Sequence, residues 1–148
     1  MRTSDRPPQP GDLRFIEETE NICFPDPWPG HFFASEIIAP GRFHRLLIEP
    51  AGKIVAFLFS TWQYLDLHVL KIATLPEYRR AGMARKLMGM AEAHVVEMGG
   101  ESVTLEVRVT NGRARGLYRS MGYSEAGRRP GYYPDGEEGI VMTKWFSA

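Results

Sequence analysis

Residues 65–109 constrain the fold most, because they read as strand, glycine turn, long helix and strand in unbroken order. Leu65 to Thr74 is rich in β-formers and stops before Pro76, as a strand does when the next residue cannot donate to a ladder. Met83, Leu87, Ala91, His94 or Val95, and Met98 then recur on one helical face, and Gly99-Gly100 end the helix. Val103, Leu105, Val107 and Val109 alternate with Thr104, Glu106 and Arg108, which predicts a strand with one apolar face. Two neighbouring strands joined through a helix run parallel with a right-handed crossover.

The turn inside this unit, Arg79-Arg80-Ala81-Gly82-Met83-Ala84, has the chemistry of a phosphate cradle. A helix begins with unpartnered N–H groups and the positive end of its dipole, and a glycine lets those donors close on an anion. The Walker and dinucleotide-binding patterns do not fit, since one needs Gly-Lys-Ser/Thr and the other three spaced glycines. A phosphate ligand of another kind is required. Arg85 and Lys86 extend the basic cluster, which suits a small anion; a solvated helix end is the alternative.

The flanking segments complete a mixed α/β order. A short edge strand is expected around Arg2 to Arg6, within a Pro-rich start over residues 1–11 that is otherwise irregular. Asp12 stands as a helix N-cap before Leu13, Ile16, Thr19 and Cys23 at helical spacing. Phe24-Pro25-Asp26-Pro27-Trp28-Pro29 is a loop, followed by a helix from His31 to about Ile38. Phe43 to Ile48 and Ile54 to Trp62 flank the Ala51-Gly52 turn and should pair antiparallel. A helix from Gly112 to Met121 and strands near Tyr123 to Arg129 and Glu138 to Phe146 close the chain.

With 148 residues, 43% of them hydrophobic, one domain over 1–148 is expected. Lys+Arg and Asp+Glu are equal at 18 each, so no global charge draws the chain to nucleic acid or an anionic membrane. One cysteine, Cys23, excludes an intramolecular disulfide framework, and no apolar run reaches the length of a membrane span or signal core. A cytoplasmic protein, monomeric or weakly dimeric, is the expectation. The scattered histidines offer no zinc spacing, so no metal is expected.

Taken in order, the strand, Arg79-x-x-Gly82-x-Ala84, the long helix, the Glu106 strand, Asn111 and Leu117-Tyr118-x-x-Met121-Gly122-Tyr123 resemble the GNAT acetyltransferase superfamily. Leu105-Glu106-Val107-Arg108, Asn111, Leu117-Tyr118, Arg128-Arg129-x-x-Tyr132-Tyr133 and the early Phe24-Pro25 and Trp28 resemble its RimI type, from Asp12 to about Met142. The resemblance implies a twisted, mostly antiparallel sheet with one splayed parallel pair, flanked by about four helices. It implies acetyl-CoA as cosubstrate and, as acceptor, the N-terminal amino group of a small-subunit ribosomal protein, number eighteen, typically an alanine. The matching Glu is that family's base and the matching Tyr its acid.

The residues support those roles on their own chemistry. An α-amine with a pKa of about 8 must lose a proton before it attacks a thioester. Glu106, on the polar face of its strand, can take that proton, and partial burial is expected to raise its pKa; pairing with Arg108 or another neighbour is the structural alternative. Tyr118 can protonate the departing thiolate, or else fill the core. Asn111 is a helix cap, a hydrogen-bond partner for the pantetheine arm, or both. Ile72, Ala73 and Thr74 should offer backbone groups to that arm, and Arg79, Arg80, Ala81, Gly82, Met83, Ala84 and Arg85 should hold the pyrophosphate. Arg113 and Arg115 reach the ribose phosphate or solvent.

Phe24, Trp28, Tyr132 and Tyr133 are expected to flank the acceptor, with Glu36 or Glu138 meeting its basic side chains. Lys71 and Thr74 depart from the usual pattern of the type, and the loop from Pro25 to Trp28 is longer. His68 is a rival base or a satisfied sheet histidine, and nothing near Cys23 in sequence activates it. The competing readings are acetylation of a lysine side chain, polyamine or other small amine, and a non-catalytic acetyl-CoA-binding module.

Overall fold

The computed structural model describes residues 2–146, so the ends of the expected 1–148 domain lie outside the described residues. Its elements in order are β1 (Ser4–Arg6), α1 (Leu13–Cys23), α2 (Gly30–Ile38), β2 (Arg42–Ile48), β3 (Ile54–Gln63), β4 (Asp66–Thr74), α3 (Met83–Met98), β5 (Ser102–Arg108), α4 (Gly112–Ser120), β6 (Ser124–Arg129) and β7 (Gly139–Trp145). The strands form one seven-stranded sheet in the order β1-β2-β3-β4-β5-β7-β6. Every neighbouring pair is antiparallel except β4 and β5, the pair joined by α3. This is the mixed α/β sheet expected from the strand–helix–strand unit.

Two apolar clusters cover the two faces. Ile16 and Phe33 of α1 and α2 pack on Leu46, Ile54, Phe57, Phe59 and Ala73. On the other face Met83, Leu87, Met88, Ala91 and Val95 of α3 pack on Leu67, Val69, Val103 and Leu105, with Tyr118 of α4 in the same cluster. Met98, expected on that stripe, is 62% exposed, and Met88 takes the core position instead. A helix lying across a sheet buries a stripe wider than one row, so both Leu87 and Met88 turn inward. After Val95 the last residues of the helix, before the left-handed Gly99, run past the apolar cluster. His94 stacks on Phe43 at 4.2 Å and accepts a hydrogen bond from Trp62 Nε1.

Asp12 does not cap α1. Its own backbone is helical, and its carboxylate accepts hydrogen bonds from Arg6 and from the Gln9 backbone N–H. The charge is spent tying β1 to the turn before the helix.

The feature that positions the site is the incomplete pairing of β4 with β5. Their register runs from Asp66 opposite Ser102 to Val69 opposite Leu105 and goes no further. On the β3 side, Phe59 faces Lys71 while Ser60 faces Val69, so Leu70 is an extra residue, a bulge. A bulge reverses the in–out alternation. Leu67 and Val69 face α3; beyond the bulge Ile72 packs on that cluster, whereas Ala73 joins the cluster under α1 and α2.

Candidate active site

Where β4 and β5 part, two cavities open and meet. The larger, of about 830 Å³, is lined by Ile72, Ala73 and Thr74 at the end of β4, by Arg79, Arg80 and Gly82 to Arg85, and by Arg113 and Leu117 of α4. The smaller, of about 420 Å³, is lined by Glu106, Lys71, Phe24, Trp28, Tyr132 and Tyr133. Phe24, Ile72, Arg108, Asn111, Ala114 and Tyr118 belong to both walls.

The larger cavity has the donors of an anion site. Arg80 and Gly82 both take left-handed backbone, at φ of 64° and 79°, and no side chain caps α3. Added Cβ atoms at Gly82 would meet nothing, so glycine is required there by φ and not by space. The first N–H groups of α3 therefore face the cavity with three arginines beside them, an arrangement that favours phosphate. Ala81 lies in the turn without lining the wall. Beyond Val69, the β5-facing edge of β4 has no ladder partner, which leaves its amide groups for an amide-containing ligand. These features fit the phosphates and pantetheine arm of acetyl-CoA. Arg115 is not at this wall; its Nη1 donates to Val109 O at 2.8 Å.

Asn111 caps α4, its Oδ1 accepting from the Ala114 N–H at 3.1 Å, and still lines both cavities. Tyr118 is 5% exposed, and burial alone pushes its hydroxyl up to about 12, so it stays protonated at neutral pH.

Glu106 is the first β5 residue past the last β4 partner. Its side chain is 8% exposed, yet its pKa is lowered, against the expected rise. Burial pushes it up, but the hydrogen bond and charge of His68 and those of Arg129 outweigh burial. His68 Nε2 lies 2.6 Å from Oε2, and Arg129 Nη1 lies 3.1 Å from Oε1. Arg108, the neighbour considered from sequence, instead binds Asp26, Asp135 and Glu137.

Glu36 and Glu138 do not line the smaller cavity. Glu36 pairs with Arg42 and His44, and Glu138 with Arg128. Asp26 is on that wall instead, and its bond to Arg108 ties the Phe24–Pro29 loop to the segment carrying Asp135 and Glu137. Lys71, turned by the bulge, bonds the wholly buried Glu20 at 2.8 Å and sits 3.8 Å from the Phe24 ring centre. Glu20 also accepts the Trp28 N–H, so one carboxylate and one ammonium seat the aromatic loop. Only the helical periodicity of α1, which places Glu20 beside the inward Ile16 and Thr19, hints at this in sequence. Burial raises the pKa of Cys23, and no nucleophile is made there.

The model of the acetyltransferase (GNAT) family matches residues 13–123. The chain is 32% identical over 133 residues to the ribosomal protein bS18-alanine N-acetyltransferase of Escherichia coli strain K12, spanning 88% of each. It is 29% identical over 144 residues to an N-alpha-acetyltransferase of Sulfurisphaera tokodaii, spanning 88% of this chain and 86% of that one. The crystal structure of the Escherichia coli ribosomal-protein-S18-alanine N-acetyltransferase is similar with a TM-score of 0.91 at 29% identity, covering 99% of this chain and 96% of the other.

Proposed function

The chain belongs to the GNAT acetyltransferase family, and from that premise we propose that it acetylates the N-terminal amino group of a protein, with the N-terminal alanine of ribosomal protein bS18 as the favoured acceptor. The observation that carries the reading is the meeting of the two cavities at Tyr118 and Asn111, one with phosphate-binding donors and the other with a carboxylate among aromatics. The acceptor identity comes from the bS18-specific relative.

Acetyl-CoA supplies an acetyl group activated as a thioester. The α3 N-terminus with Arg79, Arg80 and Arg85 would hold its phosphates, and Ile72 to Thr74 its amide arm. Glu106 accepts the proton of the incoming ammonium, directly or through water, and Tyr118 Oη holds the proton that a departing thiolate takes. Phe24, Trp28, Tyr132 and Tyr133 orient the first residues of the acceptor and exclude water. The amine and the thioester would meet across the splay, so transfer would be direct, without an acyl-enzyme. A ribosomal acceptor places the action in the cytoplasm; among the described residues no helix is long and apolar enough to cross a membrane.

The test is mass spectrometry of a peptide panel incubated with acetyl-CoA: the bS18 N-terminal peptide, other free N-termini, N-blocked peptides carrying lysine, and polyamines. The reading predicts label on free α-amines, fastest on the bS18 peptide. Label confined to lysine or polyamine overturns it, as does tight acetyl-CoA binding with no product from any amine.

A further inference from the structure

Among the described residues two cations line the acceptor cavity, Lys71 and Arg108, and their counter-ions lie on different sides of its wall. Arg108 is met by Asp26, which stands on the same wall, and by Asp135 and Glu137. Lys71 is met at 2.8 Å by Glu20, which lies behind the wall with its side chain 1% exposed, against 13% for Lys71. The rings of Phe24 and Trp28 are centred 3.8 and 5.1 Å from the ammonium, so its remaining contacts are cation–π contacts. The pair is therefore polarised, with its positive end towards the cavity.

The strand faces put that end where the first side chain of an acceptor has to go. Lys71 pairs with Phe59, and Phe59 and Ala73 belong to the cluster under α1 and α2. Leu105 and Val107 enter the α3 core, so Glu106 between them leaves by the same face as Lys71. The two strands have already parted at this level, so ammonium and carboxylate stand on opposite borders of the splay. An amine brought to Glu106 carries its first side chain towards Phe24, Trp28 and Lys71. Fold stability does not account for the pair. Glu20 Oε1 is buried with no partner among the described residues, and a buried ion pair is often no better for stability than apolar residues of the same volume.

We propose that Lys71 determines which first residue the acceptor can carry: it favours a side chain bearing an oxygen, such as serine, and rejects a cationic one. This rests on the N-terminal acetyltransferase reading above. An ammonium has three N–H donors and Glu20 takes one, so a hydroxyl or carboxylate oxygen in the cavity can accept another. A cationic side chain instead meets the positive end of the pair. Asp26 is already bound to Arg108, and Glu106 to His68 and Arg129. Two unit charges about 8 Å apart at an effective dielectric of about 20 repel enough for roughly 30-fold in binding, which Glu20 behind the wall reduces to about tenfold.

The test compares kcat/KM on peptides that differ only in an isosteric first residue, with every later amine blocked. Citrulline matches arginine without its charge, and aminobutyrate matches serine without its oxygen. The wild type should use the citrulline peptide at least about tenfold better than the arginine peptide, and the serine peptide at least about threefold better than the aminobutyrate peptide. Combining Glu20→Gln with Lys71→Met removes both charges at similar volume, and the introduced amide can still accept the Trp28 N–H. In that variant both ratios should fall towards one, whereas a purely structural pair would lower every peptide alike and leave the ratios unchanged. Parity within either isosteric pair in the wild type overturns the proposal without any variant, as do unchanged ratios in the double variant. In both cases label on the α-amine of an alanine-first peptide leaves the acetyltransferase reading intact, and no label on any α-amine overturns that reading as well.

Discussion

Tyr118→Phe separates the acid role proposed for Tyr118 from its place in the scaffold. The substitution removes one oxygen, while the ring keeps its edge-on contact with Tyr123 at 6.0 Å and its place in the α3 core. Burial alone accounts for the raised pKa, with no hydrogen bond or charge contributing, so little binding is lost with the hydroxyl. Folding stability should therefore change by less than about 1 kcal/mol. The rate is different. General acid catalysis contributes on the order of 10²–10⁴-fold, or ~2.7–5.4 kcal/mol of barrier. A thiol leaving group with a pKa near 8.5 departs tolerably as thiolate, which puts the expected loss at the low end, about 10²-fold in kcat near pH 7. The loss should shrink as pH passes about 8.5, where the thiolate needs no proton. Thiol release followed with a chromogenic disulfide, on the bS18 N-terminal peptide, gives kcat and both KM values across that range. A loss below about threefold at every pH would show that Tyr118 only fills the core and would refute the acid role.

Gly82→Ala meets no steric contact but must hold φ near 79°, so it should cost about 1 kcal/mol and weaken acetyl-CoA binding, measurable by urea unfolding and calorimetry. Glu20→Ala strands the Lys71 ammonium, whose side chain is 13% exposed, and should destabilise the fold by roughly 3 kcal/mol. It should also raise the acceptor KM through the unseated Phe24–Trp28 loop, with acetyl-CoA affinity held. The His68–Glu106 pair gives a stability window of known sign. His68 is raised, so its contribution is full below 6.5 and lost as pH rises through its folded value; Glu106 is lowered, so its contribution is full above 4.5 and lost as pH falls through its folded value. Urea melts of wild type and His68→Gln should differ most between those limits, and a difference that grows above neutrality would contradict the pairing.

Local chemistry made the elements legible. Alternation over Val103 to Val109, the glycines at 82 and 99, and the prolines around Asp26 each act on neighbours in sequence, and the elements they mark form within a residue or two. Much of the cavity walls was legible too, because Arg79, Arg80, Gly82 to Arg85, Glu106 and Tyr118 lie in or beside elements whose order dictates the crossover. What escaped depends on distant partners. Burial of Glu106 predicts a raised pKa, and only His68 and Arg129, 38 and 23 residues away, reverse the sign. The bulge at Leu70 has no glycine or proline to announce it, and it alone decides that Lys71 turns to Glu20. Asp12 had the residue type of a cap, but Arg6 claimed its carboxylate.

On the proposed function, the two cavities meet across the splay and serve one transfer. A conjugate joining CoA through an acetyl bridge to the α-nitrogen of the bS18 N-terminal peptide tests it in a single titration. If the cavities are one reaction path, the linked halves should bind at least 10²-fold tighter than CoA or the peptide alone. The gain should vanish when the linkage is moved to a lysine side chain. A conjugate that binds no tighter than CoA, with either linkage, would contradict the account.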